Sequence, residues 1–279
     1  MRGIDRFLML VLFAAVLGRA VYLAVFDPNP ASVRTPVVVR SALIMPPRVA
    51  GSDLPDMKIS ASQNKPGRLY TGTAFALSDR GHWLTATHVV EGCQFLLIGR
   101  ERRAGKFDFQ ESGSWRPVEG LDVAIMDGVA GMPGLVIADE TVPKGGQGYF
   151  VGYPGGDPHA GYVTLIGRSR MVRASERRKE IADVWALRDM TPKQEGGLSL
   201  GGASGGPLFN ERGQVVGMMS AGNDRRGRLI TSVLPGLEPV QPFSDPAYAP
   251  DIKLTPSNYV DFGRTLRERG LVTRVNCRT

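Results

Sequence analysis

Residues 201–208 read Gly201-Gly202-Ala203-Ser204-Gly205-Gly206-Pro207-Leu208, a serine among glycines just ahead of the apolar run Val215-Val216-Gly217-Met218-Met219. A serine hydroxyl is a weak nucleophile alone. It needs a base to take its proton and donors to hold the oxyanion that its attack creates. Glycine reaches backbone conformations closed to other residues, so two N–H groups can converge on one point. Gly202 and Ser204 are the candidate pair. Losing one such donor costs about 3–4 kcal/mol of transition-state stabilisation. A plain glycine-rich turn between strands fits the same eight residues, so the choice rests on whether the chain also carries a base and an orienting acid.

Both are present. Upstream lies Trp83-Leu84-Thr85-Ala86-Thr87-His88-Val89-Val90, a strand-like run ending in a histidine. Between it and the serine lies Leu121-Asp122-Val123-Ala124-Ile125-Met126, an acid at the head of a short apolar strand. The order His, Asp, Ser is that of the chymotrypsin architecture; subtilisins and α/β-hydrolases order the same groups differently. On these blocks, with Gly72-Thr73-Ala74-Phe75-Ala76-Leu77 ahead of the histidine and Ser220-Ala221-Gly222 behind the serine, the chain resembles the trypsin-like serine peptidases. Within them it resembles the bacterial branch that includes the high-temperature-requirement proteases. The resemblance spans roughly residues 66–235.

The resemblance implies an all-β, chymotrypsin-like double β-barrel with the active site between the barrels. Strands are expected over residues 69–77, 82–87, 94–98, 102–109 and 121–126 for the first barrel. For the second they are expected over 147–153, 161–168, 181–188, 207–209, 214–220 and 228–233. Ser204 is then the nucleophile, His88 the base that later protonates the leaving amine, and Asp122 the residue that fixes the imidazole tautomer and stabilises the imidazolium. Gly202 and Ser204 form the oxyanion hole. Ser220, Ala221 and Gly222 form the edge strand that pairs with substrate. Leu198 lies near the base of the pocket for the residue before the scissile bond; with no acid there, a small or medium apolar residue is expected over arginine or lysine. His82, His159 and Asp127 are the poorer-placed rivals.

Ala203 departs from the pattern. Animal trypsins have aspartate there, which pairs with the new N-terminus after zymogen cleavage, and the high-temperature-requirement branch has asparagine. Alanine does neither job, so no N-terminal switch is expected and the oxyanion loop is set by packing or by substrate. A non-catalytic relative that keeps the fold as a binding or scaffold module is the alternative to a serine endopeptidase acting on envelope proteins. Esterase-like acyl transfer is a third use of the same triad.

Outside this region, residues 7–26 are twenty mostly apolar residues behind Arg2 and Arg6, matching the roughly 30 Å span of a bilayer and interrupted by Arg19. They read as an N-terminal transmembrane helix (residues 1–26). Residues 7–17 with a small-x-small site at 18–20 read alternatively as a cleaved signal peptide. Either way the catalytic domain is exported. It is expected in the periplasm, anchored to a bacterial inner membrane, or secreted there if the segment is cleaved. Residues 27–64 read as a tether, 65–245 as the peptidase domain, and 246–279 as a C-terminal extension. That extension carries a helix over 257–270, capped by Ser257 and stopped by Gly270. Too little chain follows for a PDZ domain.

The formal net charge is +7, but the arginines are spread along the chain with no nucleic-acid motif, so no nucleic-acid partner is expected. The densest cluster, Arg168, Arg170, Arg173, Arg177, Arg178 and Lys179, reads as an exposed hairpin or loop, with a patch for anionic lipid headgroups as the alternative. Cys93 and Cys277 are the only cysteines, too few for a zinc site. An exported chain favours a disulfide between them, with two separate thiols as the alternative. No metal or cofactor is expected, and the partner is a polypeptide substrate.

Overall fold

The computed structural model describes residues 54–59, 67–103, 106–173 and 178–279, all within the unit Pro36–Thr279. The expected membrane segment, most of the tether and Arg177 lie outside the described residues. Among the described residues no helix is long and apolar enough to cross a membrane.

The first elements in chain order are β1 (Asp56–Ile59), β2 (Leu69–Ala76), β3 (His82–Thr85), the one-turn helix α1 (Thr87–Val90), β4 (Phe95–Arg103), β5 (Lys106–Glu111), β6 (Trp115–Pro117) and β7 (Ala124–Asp127). Then come β8 (Gly134–Leu135), β9 (Gln147–Gly152), β10 (His159–Arg173), β11 (Arg178–Thr191), β12 (Pro207–Phe209), β13 (Val215–Asn223) and β14 (Arg228–Val233). The chain ends with β15 (Pro246–Tyr248), the helix α2 (Tyr259–Glu268) and β16 (Val272–Arg278).

Two seven-stranded sheets hold the structure. One has the order β5-β4-β16-β2-β3-β7-β6; the other has the order β1-β10-β11-β14-β13-β12-β9 and closes because β9 also pairs with β10. This is the all-β, chymotrypsin-like fold with a C-terminal helix. Their interiors are apolar for the reason the sequence gives: β2, β3 and β7 turn Phe75, Leu84 and Ile125 into the first core, and β9 to β14 turn Phe150, Trp185, Leu208 and Leu229 into the second. Fully burying a Leu or Phe side chain contributes about 1.5–3 kcal/mol, so dozens of such residues outweigh the cost of ordering many short strands.

The expected strand 102–109 is divided between β4 and β5, and β10 and β11 run longer than expected; beyond such strand limits, three features differ from the sequence reading. The run expected as a strand through residue 87 stops at Thr85, and His88 sits on α1. The β-branched Val89 and Val90 disfavour a helix locally, but tertiary packing decides: Gly72 has no side chain, and a Cβ there would come within 2.4 Å of Val89 Cγ1. Part of the tether is ordered, since β1 pairs in parallel with β10 from Asp56↔Arg170 to Ile59↔Arg173.

The C-terminal tail is the third. Its helix is present, but the residue before the first helical turn is Asn258 rather than Ser257, with no side-chain cap. Beyond Gly270, β16 runs between β2 and β4 in the middle of the first sheet. The helix lies on the core through Leu266 and Phe262, the latter edge-on to Phe209 at 5.0 Å between ring centroids. Cys93 and Cys277 form a disulfide with 5.3 Å between their Cα atoms.

Candidate active site

The base–acid pair is assembled by the first sheet. Asp122 lies two residues before β7, and its carboxylate is fully buried. Its Oδ2 is 2.8 Å from His88 Nδ1, and its Oδ1 accepts from the His88 backbone N–H at 3.1 Å. The acid thus fixes both the ring and the backbone that carries it. The His88 side chain keeps 19% of its surface exposed.

The serine comes from the turn before β12. Its carbonyl accepts from Thr73 N at 2.8 Å, which ties the turn to β2. Gly205 has φ +87°, and a Cβ on it would come within 2.0 Å of Thr73 O and 3.1 Å of Ala86 N. Only glycine lets the serine turn settle this close to the segment leading into His88. Gly202 has φ +89°, with Tyr153 O only 2.5 Å from where its Cβ would be. Thr73 Oγ1 donates to Gly202 O at 2.9 Å, and Gly155 N donates to Gly201 O at 2.6 Å. Neither the Gly202 nor the Ser204 amide donates to a partner among the described residues. Two unspent amides on a clamped turn are what an oxyanion site requires.

The rivals are committed elsewhere. His82 Nδ1 is 3.0 Å from Ser78 Oγ, and His159 is buried with Nδ1 2.9 Å from Asp157 O. Asp127 pairs with Arg116 at 2.8 Å.

Ser220, Ala221 and Gly222 lie on β13, whose pairing with β12 ends at Met218 while pairing with β14 continues to Asn223. They line a cavity of about 660 Å³ together with His88. Leu198 lines a different cavity, of about 240 Å³, beside Leu187 and Met190. The residue set against the edge strand is Leu200: a Cβ on Gly222 would come within 2.6 Å of Leu200 Cδ1. Ala203 is fully buried in the same apolar cluster as Phe150, Leu200 and Leu208, and its N–H donates to Leu200 O at 3.0 Å.

Behind the acid stands a buried polar cluster that corrects the sequence reading, since Arg173, expected on an exposed hairpin, is buried. Arg173, at the end of β10, has a side chain only 4% exposed. Its Nη2 donates to Asp122 Oδ2 at 2.5 Å, to Ser220 O at 2.9 Å and to Ser220 Oγ at 2.7 Å. The Ser220 hydroxyl also donates to Asp122 Oδ2. Burial alone would raise the Asp122 pKa, but His88 first, then Arg173 and the Ser220 hydroxyl, reverse that and bring it down to about 2. Glu180 Oε2 accepts from Asp122 N and from Ser232 Oγ, both at 3.3 Å. Burial, followed by the nearby negative charge of Asp122, pushes the Glu180 carboxyl up to about 8. At neutral pH the cluster therefore holds one carboxylate, one guanidinium and one neutral acid.

Among the described residues no group of acids, histidines and cysteines is arranged to hold a metal ion.

A family model described as a trypsin-like peptidase domain matches residues 72–218, more than half of the chain. Solved structures with a similar fold include the Rv3671c protease from M. tuberculosis in its active form, 20% identical over 74% of this chain and 97% of that one at a TM-score of 0.47. The MamO protease domain from Magnetospirillum magneticum is 16% identical over 64% and 97% at 0.46. A serine endoprotease from Yersinia pestis is 15% identical over 64% and 63% at 0.45. At such identities these likenesses carry nothing about substrate. No curated protein matches the sequence.

Proposed function

The chain belongs to the trypsin-like peptidase family, and on that premise we propose that it is a serine endopeptidase that cleaves polypeptides through His88, Asp122 and Ser204. The observation that carries the reading is the buried Asp122 carboxylate holding His88 by both its ring nitrogen and its backbone amide, at 2.8 and 3.1 Å.

In the reaction, Ser204 Oγ attacks the scissile carbonyl carbon while His88 takes its proton. The carbonyl oxygen becomes an oxyanion held by the amides of Gly202 and Ser204. Collapse expels the amine, which receives the proton from His88, and leaves an acyl-enzyme on Ser204. Water, deprotonated by His88, then attacks the ester and releases the acid. Asp122 remains ionised throughout, in keeping with a pKa held at about 2. Packing of Ala203 and the bonds on Gly201 and Gly202 support a loop set by the interior rather than by a charged N-terminus.

The export reading joins this proposal. Residues 1–26 would hold the enzyme at a bacterial inner membrane, with the peptidase domain in the periplasm and envelope proteins as substrates. The Cys93–Cys277 bridge supports an oxidising compartment.

The test is labelling of the full chain with a fluorophosphonate probe, beside Ser204→Ala and His88→Ala. Labelling of the wild type that both substitutions abolish is the expected result. A folded wild type that takes no label overturns the catalytic reading in favour of a binding module, and labelling that survives Ser204→Ala moves the nucleophile elsewhere.

A further inference from the structure

The cavity beside His88 is bounded on one side by the β13 edge, Ser220 to Asn223, and on another by β1. Its apolar lining comes from Met57, Ile59, Val184, Ala221 and Ile230. Its charged lining is of one sign: Lys58, Arg173, Arg226 and Arg228, with no carboxylate among the residues that face it. Arg173 is spent on Asp122 and Ser220. Lys58, Arg226 and Arg228 make no ion pair among the described residues. The nearest acids in sequence are turned to other partners, Asp56 to Arg170 and Asp224 to the Leu200 amide at 3.1 Å.

We propose that this cleft selects peptides carrying acidic side chains two to four residues before the scissile bond. The proposal rests on the peptidase reading for the position of the cleaved bond. A peptide whose carbonyl sits at Ser204 and whose preceding residues pair antiparallel with the open β13 edge advances about 3.3 Å per residue. Its second to fourth residues then pass Ala221, Gly222 and Asn223, beside Arg226 and Arg228, with Met57 and Ile59 across the cavity. Two cations, Arg226 and Arg228, beside one concave surface with low-dielectric walls concentrate the field there. A carboxylate side chain answers that field, and a lysine or arginine meets repulsion. The strand β1, read from sequence as part of a tether, thereby supplies one wall of the specificity site.

The test uses two quenched-fluorescence peptides, built on a neutral sequence selected by digestion of a peptide library. They differ only in carrying Glu-Glu or Gln-Gln at the third and fourth positions before the cleaved bond. Exposed ion pairs contribute up to about fivefold each, so two give up to about 25-fold in kcat/KM at low salt, decaying toward parity as added salt shortens the screening length to about 3 Å at 1 M. Binding of the same peptides to full-length Ser204→Ala, read by fluorescence anisotropy, is expected to show the same ratio without turnover. The ratio falls to one in Arg226→Gln/Arg228→Gln. Equal rates and equal binding for the two peptides at low salt, with the fluorophosphonate still labelling Ser204, overturn the acidic preference and leave the peptidase reading standing. Tighter binding of the Glu peptide without probe labelling upholds the preference and overturns the peptidase reading. The salt series on the wild type needs no variant to fold.

Discussion

Glu180 offers the most quantitative test of the buried cluster. It sits against the acid that orients His88, its Oε2 accepting from Asp122 N and Ser232 Oγ, and its carboxyl is raised from an ordinary 4.5 to about 8. For an acid whose folded-state pKa is raised, the unfolded chain releases the proton first. Stability is therefore full below about pH 4.5 and is lost as pH rises through about 8. One group contributes a slope of at most about 1.4 kcal/mol per pH unit, and the window sets a ceiling of about 5 kcal/mol. Glu180→Gln keeps the shape and an acceptor oxygen for both donors while removing the proton. The measurement is urea unfolding of wild type and variant at pH 5.0 and pH 8.5, taken as a difference so that every other titrating group cancels. We expect the variant near or slightly below the wild type at pH 5.0, and ahead of that difference by several kcal/mol at pH 8.5. A difference that shifts by less than about 1 kcal/mol between the two pH values would mean that Glu180 is already ionised in the fold, and would refute the reasoning.

Two further outcomes follow from the same geometry. Cys93→Ser/Cys277→Ser removes a bridge between residues 184 apart, for which the chain-entropy relation gives a ceiling of about 5 kcal/mol. A depressed Tm in the oxidised wild type's favour is expected, and equal Tm values with and without reductant would discard that contribution. Gly205→Ala puts a methyl group 2.0 Å from Thr73 O at φ +87°, where strained backbone alone costs about 1–3 kcal/mol. Loss of probe labelling with a lowered Tm is expected, and a variant that labels at the wild-type rate would show that the serine turn is not fixed against β2.

The catalytic blocks were legible because each is a local statement. A serine among glycines and an acid ahead of an apolar strand are each visible within eight residues, and His88 Nδ1 and Asp122 Oδ2 stand 2.8 Å apart in the structure. Two strands expected for the second barrel, 207–209 and 228–233, match β12 and β14, whereas 161–168 and 181–188 fall well short of β10 and β11. What the sequence hid was non-local. Residues 272–278 contain only two apolar valines and a cysteine, too weak a pattern to announce a strand, yet β16 fills the slot between β2 and β4 through backbone pairing on both sides. Its place is decided by those two neighbours, two hundred residues earlier in the chain.

Arg173 shows the same limit at the site itself. In the sequence it is one of six cations in a dozen residues, and a run of that kind normally faces water. In β10 the inward face passes through Ser169, Met171 and Arg173, while Arg168 and Arg170 face outward and pair with Asp183 and Asp56. The adjacent apolar residues Met171 and Val172 leave the phase of the alternation undetermined from composition, and a one-residue slip exchanges the two faces. Antiparallel pairing with β11 along β10, from Ala160↔Thr191 to Arg173↔Arg178, sets the register, and β1 adds a parallel neighbour at residues 170–173. Arg173 thereby lies on the carboxylate that holds His88, and β1 brings Met57 and Ile59 to the cleft wall. The segment ahead of the peptidase domain thus reaches the candidate site twice, once by pairing with the strand that carries Arg173 and once by lining the cavity beside His88.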